Sequence, residues 1–264
     1  MDFSPSRRPG FWALCSSFAL MFTFPASCLA QSEYARAIEK VKPSIVAVGT
    51  FERLRNPEFR FLGTGFAVGD GSLIATNNHV VPGALDSARF ETVAIALPGP
   101  GRTVQVRAAR EVAADPSHDL ALLRIDGPPL PALRVGDSER VREGDICLFT
   151  GFPIGPVLGL FPVTNRAMIS AITPIVIPAS NANQLNGRAI RRIAAGAYPV
   201  FQLDGTAYPG NSGSPLYDPR SAEVIGIVNM VFVKGTKESA LTEPSGISYA
   251  IPARKLSELL TRTH

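Results

Sequence analysis

The chain contains only three histidines, so the groups able to carry a proton near neutral pH can be sorted one by one. His264 is the last residue and is expected to fray. His118 and Asp119 are neighbours on a predicted strand, which sends their side chains to opposite faces and keeps them from serving one another. His79 belongs to Ile74-Ala75-Thr76-Asn77-Asn78-His79-Val80-Val81, an apolar strand that turns polar at its end and so puts an imidazole at a sheet rim. A lone histidine in such a place is more often structural, and only partners change that reading.

Ser212 is the candidate nucleophile, in Tyr208-Pro209-Gly210-Asn211-Ser212-Gly213-Ser214-Pro215-Leu216. Glycines on both sides of a serine permit a tight turn that exposes Oγ and aims nearby N–H groups at one point. Alone, the pattern also fits an ordinary loop. Residue order narrows the chemistry. A nucleophile elbow on an α/β hydrolase needs its histidine after the serine, and the only later one is His264. The order available is histidine, aspartate, serine, which selects Asp119 at the head of Asp119-Leu120-Ala121-Leu122-Leu123. A carboxylate buried there is costly without a partner. An imidazole N–H would be one, and the pairing would fix the tautomer of His79. The alternative is an aspartate that merely caps a turn. His79, His118 and Cys147 form no ligand-spaced cluster, so neither a metal nor another cofactor is expected.

These groups need elements to carry them. Strand signals dominate: residues 44–48, 62–68, the alternation around 93–97 and 103–107, then 120–125, apolar at nearly every position. A break at Asp126-Gly127-Pro128-Pro129 follows, and a second set runs through 146–149, 167–172, 174–177, 200–203, 224–233 and 247–251. About a dozen short strands with little helix argue for antiparallel barrels or a sandwich. A helix is expected over 31–42, capped by Ser32 and stopped by Pro43. A second, opened by Pro252, puts Leu256, Leu259 and Leu260 on one face. Residues 181–196 read as a surface loop.

Composition sets further bounds. The chain has 264 residues, 45% apolar and 18% charged, with 23 glycines and 23 prolines, which suits a globular protein of many strands and turns. Net charge is only +4 and is spread out, so no nucleic-acid partner is expected. The densest cluster, Arg188, Arg191 and Arg192, reads as a solvated loop before a polyanion site. Arg7 and Arg8, an apolar stretch over 11–24, Pro25 and Cys28-Leu29-Ala30 describe a secretory signal peptide cut after Ala30. Export to the periplasm or beyond is therefore expected, with no stable membrane insertion after cleavage. Cys15 and Cys28 would leave with the signal, and Cys147 alone cannot form an internal disulfide. Its apolar strand setting reads as a buried, inert thiol.

Taken together, four segments resemble the marks of the HtrA family of bacterial serine proteases, within the trypsin-like superfamily. They are Gly63-Thr64-Gly65-Phe66, Thr76-Asn77-Asn78-His79-Val80-Val81, His118-Asp119-Leu120-Ala121-Leu122-Leu123 and Gly210-Asn211-Ser212-Gly213. Lesser matches are Leu133-Arg134-Val135-Gly136-Asp137-Ser138, Gln202-Leu203-Asp204 and Ile247-Ser248-Tyr249-Ala250-Ile251-Pro252. The resemblance implies an all-β, chymotrypsin-like fold of two antiparallel six-stranded β-barrels with short terminal helices. Its bounds would be a signal peptide over 1–30, a helical segment over 31–43, a protease domain over 44–252 and a terminal helix over 253–264. Barrel one would span about 44–130 and barrel two about 131–251. It further implies an endopeptidase acting on unfolded or extended polypeptides, with His79, Asp119 and Ser212 as triad and the N–H groups of Gly210 and Ser212 as oxyanion hole. A homo-oligomer is compatible with it.

The chain departs from the family pattern in several places. Ser214 stands where a second glycine is usual, and if that site needs a positive φ a serine would strain the turn. This departure keeps open an inactive or weak peptide-binding relative on the same fold. Asn211 replaces the aspartate of digestive trypsins, so activation by pairing with a new N-terminus is not expected. No PDZ domain is expected in the dozen residues after Pro252. Thr206 occupies the place of the trypsin pocket aspartate, which argues against Lys or Arg preference. Thr206, Tyr208, Val228, Asn229 and Met230 are the expected substrate pocket, suited to a small or medium apolar side chain.

Overall fold

A computed structural model describes residue 1 and residues 26–99, 103–153, 155, 159–174, 198–229 and 248–263. Residues 2–25 of the expected signal peptide, the 181–196 loop with its three arginines, and Met230 lie outside the described residues. Twelve strands form two closed antiparallel barrels. The first holds β1 (Ile45–Phe51), β2 (Phe59–Val68), β3 (Leu73–Asn77), β4 (Thr92–Pro98), β5 (Val104–Asp115) and β6 (Leu120–Ile125). The second holds β7 (Ile146–Gly151), β8 (Val163–Pro174), β9 (Pro199–Leu203), β10 (Pro215–Tyr217), β11 (Val224–Asn229) and β12 (Ser248–Pro252). Around the first barrel the order is β1-β2-β3-β6-β5-β4, and around the second β7-β8-β9-β12-β11-β10, the same path walked twice. Helices α1 (Ala26–Val41) and α2 (Ala253–Thr261) flank them.

The continuous apolar character of some strands has a physical source in how the barrels meet. In β6, Ala121 and Leu123 point into barrel one, while Leu120 and Leu122 point out of it into a cluster shared with barrel two. β1 divides likewise, with Val46 and Val48 inside and Ile45 and Ala47 outside. β11 repeats the pattern from the other side: Val228 faces the barrel-two interior and Val224 and Ile227 face the shared cluster. A strand buried on both faces loses its alternation. Each Val, Leu or Ile among them contributes about 1.5–3 kcal/mol through burial. Both helices cover this seam, α1 through Ala37 and Val41 and α2 through Leu256 and Leu259.

Several expected boundaries move. α1 begins at Ala26 rather than at residue 31, and Pro43 lies inside a short 3-10 turn, Lys42–Ser44, rather than ending all helical structure. β5 runs for 12 residues, with a bulge between Glu111 and Ala113. β8 starts at Val163 and runs through Pro174, longer than the 167–172 expected, and residues 175–177 of the next expected strand lie outside the described residues. β10 was not expected at all; three residues are too few for a period to show. His118 and Asp119 were placed on a strand, but both lie in the turn between β5 and β6. The cause is Asp119 itself, whose φ of 55° is left-handed and breaks the extended run before β6 starts.

Candidate active site

The polar end of β3 turns sharply into a short 3-10 segment, Asn78–Val80, which presents His79 at the barrel rim. Asp119 arrives beside it from the β5–β6 turn. The left-handed backbone at Asp119 lets its carbonyl and its carboxylate face the same neighbour. Its carbonyl oxygen accepts from Asn78 N–H at 3.0 Å and from the Asn77 amide at 3.1 Å. Its carboxylate accepts from His79 N–H through Oδ1 at 2.9 Å and meets the His79 ring Nδ1 through Oδ2 at 2.7 Å. Barrel two adds a further donor, Asn229 Nδ2, at 2.7 Å from Oδ2. Asp119 is buried, and burial alone would raise its carboxyl. The bonds and the charge from His79, with the Asn229 amide, outweigh that and hold it below the usual carboxylate range. An acceptor-only carboxylate fixed this way orients Nδ1–H and leaves Nε2 directed elsewhere as a base.

The serine sits on the loop between β9 and β10. Asn211 N–H bonds Tyr208 O at 2.9 Å, Ser214 N–H bonds Asn211 O at 3.0 Å, and Gly213 N–H bonds Val228 O at 3.0 Å. Among the described residues, the N–H groups of Gly210 and Ser212 have no such acceptor, so both are available to an oxyanion. The two flanking glycines are required here. Gly210 has φ 103° and a Cβ there would lie 2.3 Å from Phe152 O; Gly213 has φ 86° and a Cβ would lie 2.0 Å from Thr64 O.

The two halves meet at Gly63. A Cβ there would lie 2.7 Å from Val80 Cγ2 and 3.1 Å from Ser212 O, so the nucleophile loop and the histidine turn flank one glycine. Among the described residues the imidazole's hydrogen-bond partner is Asp119 alone, and the bond from Ser212 Oγ is not made in this state. Such bonds commonly tighten only around a bound substrate.

Some expectations change here. Ser214 does not have a positive φ; Gly213 carries the left-handed turn, so the strain expected of the serine is absent. Instead Ser214 Oγ is buried above Gly151, where a Cβ would lie 2.0 Å from that oxygen. Asn229 and Val228 were expected in the substrate pocket. Both are fully buried: Val228 packs into the barrel-two core, and Asn229 turns its amide to Asp119. Thr206 and Tyr208 are half-buried on the approach to Ser212, and between them the buried Ala207 N–H bonds Ser248 Oγ at 2.7 Å. The contact of Asn229 with Asp119 is what sequence reasoning missed; its signal was one amide ending the apolar run of β11. His118 pairs with Asp115, Nδ1 to Oδ2 at 2.8 Å, and stays apart from the site chemistry.

A family model described as a trypsin-like peptidase domain matches residues 63–227, which spans all three candidate residues. The chain belongs to the trypsin-like peptidase family. Within that family it is 31% identical over 193 residues to a protein of Marinomonas sp. (strain MWYL1) named "Probable periplasmic serine endoprotease DegP-like". That match covers 73% of this chain and 33% of the relative. A protein of the same name from Pseudomonas putida (strain ATCC 700007 / DSM 6899 / JCM 31910 / BCRC 17059 / LMG 24140 / F1) is 30% identical over 198 residues, covering 75% and 34%. This trypsin-like peptidase chain thus spans about a third of the length of the curated relatives it matches. Among solved structures, the HtrA-type protease AlgW with tripeptide superposes with a TM-score of 0.60 at 28% identity, covering 86% of this chain and 62% of that one. The serine endoprotease from Yersinia pestis gives 0.60 at 26% identity, covering 87% and 66%.

Proposed function

We propose that this chain is a serine endopeptidase that cuts extended or unfolded polypeptides outside the cytoplasm through an acyl-enzyme. The observation that carries the reading is the pairing of buried Asp119 with half-buried His79 through two hydrogen bonds, beside a loop whose Gly210 and Ser212 N–H groups are available. In this reading His79 Nε2 takes the Ser212 proton as Oγ attacks the peptide carbonyl. The oxygen that becomes negative is held by the two N–H groups, each worth about 100- to 1,000-fold in rate. The imidazolium, stabilised by Asp119, then protonates the leaving amine as the C–N bond breaks. Water, deprotonated by the same imidazole, releases the acid and restores the serine. The names of the relatives support export, and the tripeptide in the AlgW structure supports a peptide-binding groove.

The test is labelling of the mature protein with a fluorophosphonate and digestion of unfolded casein, beside Ser212→Ala and His79→Ala. Labelling and cleavage in the parent, both lost in the variants, are expected. The absent Ser212–His79 bond favours one second reading, a peptide binder that cuts weakly or not at all. That reading predicts casein binding without labelling.

A further inference from the structure

The two glycines of the nucleophile loop give it no rigidity of their own. Gly210 and Gly213 reach mirror-image backbone regions at no steric cost, so either peptide flanking the serine can swing unless something outside holds it. Val228 O holds Gly213 N–H from within barrel two, and the other barrel adds a restraint through one residue. Thr64, fully buried on β2, donates its N–H to Ser212 O at 2.9 Å and its Oγ1–H to Gly210 O at 2.7 Å. The same hydroxyl accepts from Phe152 N–H at 3.1 Å, at the end of β7, and Phe152 O is the atom packed against Gly210. Thr64 O accepts in turn from Thr76 Oγ1 at 2.7 Å, on β3 three residues before His79. A single threonine therefore joins the strand carrying the histidine to the carbonyls on either side of Asn211 and Ser212.

We propose that Thr64 is a positioning residue for the reaction: its hydroxyl pins Gly210 O and with it the Gly210–Asn211 peptide, which fixes the Gly210 Cα from which the N–H is presented to the developing oxyanion. The inference rests on Ser212 being the nucleophile. The hydroxyl gives its one proton to the loop and accepts Phe152 N–H on a lone pair, so a residue of equal shape without oxygen releases Gly210 O while leaving the Ser212 O bond, made by the main chain, in place.

The test compares Thr64→Val, which keeps shape and N–H, Thr64→Ser, which keeps the hydroxyl, and Thr76→Val, which removes the neighbouring buried bond to Thr64 O but leaves both bonds to the loop carbonyls in place. Each is followed by thermal unfolding, by the rate of fluorophosphonate labelling, and by kcat and KM on a peptide substrate. For Thr64→Val, kcat and the labelling rate should fall roughly 10- to 100-fold, part of the cost of an oxyanion donor, with KM nearly unchanged. Thr64→Ser should recover most of the rate, and Thr76→Val should lower the melting temperature without a comparable loss in kcat. A Thr64→Val enzyme labelled as fast as the parent overturns the proposal, as does a rate loss that follows melting temperature across all three variants. A parent that is not labelled at all would instead remove the nucleophile assignment.

Discussion

Replacing Asn229 by alanine probes the support beneath the triad rather than the triad itself. The bond removed runs 2.7 Å from Asn229 Nδ2 to Asp119 Oδ2, both side chains being out of solvent. A hydrogen bond to a charged partner contributes about 1.5–3 kcal/mol. For a chain of this size that corresponds to a fall of roughly 3–12 °C in melting temperature. The pH dependence has a definite sign. Asp119 is held below its ordinary value in the folded protein, so its ionisation stabilises the fold above the unfolded value and that contribution disappears as pH falls through the folded one. Without Asn229 the folded value rises toward the unfolded one, so the difference between variant and parent is full at neutral pH and shrinks in acid. Catalysis at neutral pH should fall far less than in Asp119→Asn, where the imidazole loses its tautomer partner and about 10,000-fold is expected. Urea unfolding at several pH values and kcat/KM on one peptide measure all of this. Equal urea midpoints for variant and parent would refute the buried bond, and an Asn229→Ala enzyme as dead as Asp119→Asn would refute the division between support and chemistry.

Gly151→Ala should cut activity at least about tenfold and cost about 1–3 kcal/mol, because its Cβ would meet Ser214 Oγ, Thr64 Oγ1 and Asn211 Oδ1 at 2.0, 2.8 and 2.9 Å. Adding Ser214→Gly removes the closest of these contacts and should recover part of the loss, so strictly additive effects in the double variant would contradict the packing. Burial pushes the Cys147 thiol up to about 12, so the native protein at pH 8 should resist alkylation that proceeds readily in urea; mass spectrometry after iodoacetamide reads the difference. Bonds from Thr50, the Asp86 backbone and Arg55 hold Glu91 down at about 2. Its stabilising effect is therefore present above the ordinary value of 4.5 and lost toward 2, and Glu91→Gln should flatten the acid slope of urea stability in that window.

The sequence carried the fold's material more plainly than its joints. Runs such as 120–125 announce a strand, yet nothing in them says whether two buried faces belong to one sheet stack or to a barrel pressed on another. The proposed triad was reachable through order and elimination, since three histidines leave few assignments. The turn at Asp119 was not, because a left-handed aspartate is held by Asn77, Asn78 and His79 rather than by local preference. Ser214 misled for the same reason: which of two adjacent positions takes the positive φ is decided by Thr64 O and Val228 O, which accept from or crowd Gly213. Asn229 looked like a pocket residue because strand alternation gives a face but not the distance to a carboxylate 110 positions earlier.

The seam between the barrels has a bearing on how this molecule can be rebuilt. Of the three apolar clusters among the described residues, the largest belongs to neither interior but to the joint, and both helices seal it. Half-molecules would bare that oily wall to water, so the two barrels cannot be treated as interchangeable cassettes. Any graft of a foreign second barrel onto this first one has to reproduce the wall before it can reproduce the chemistry.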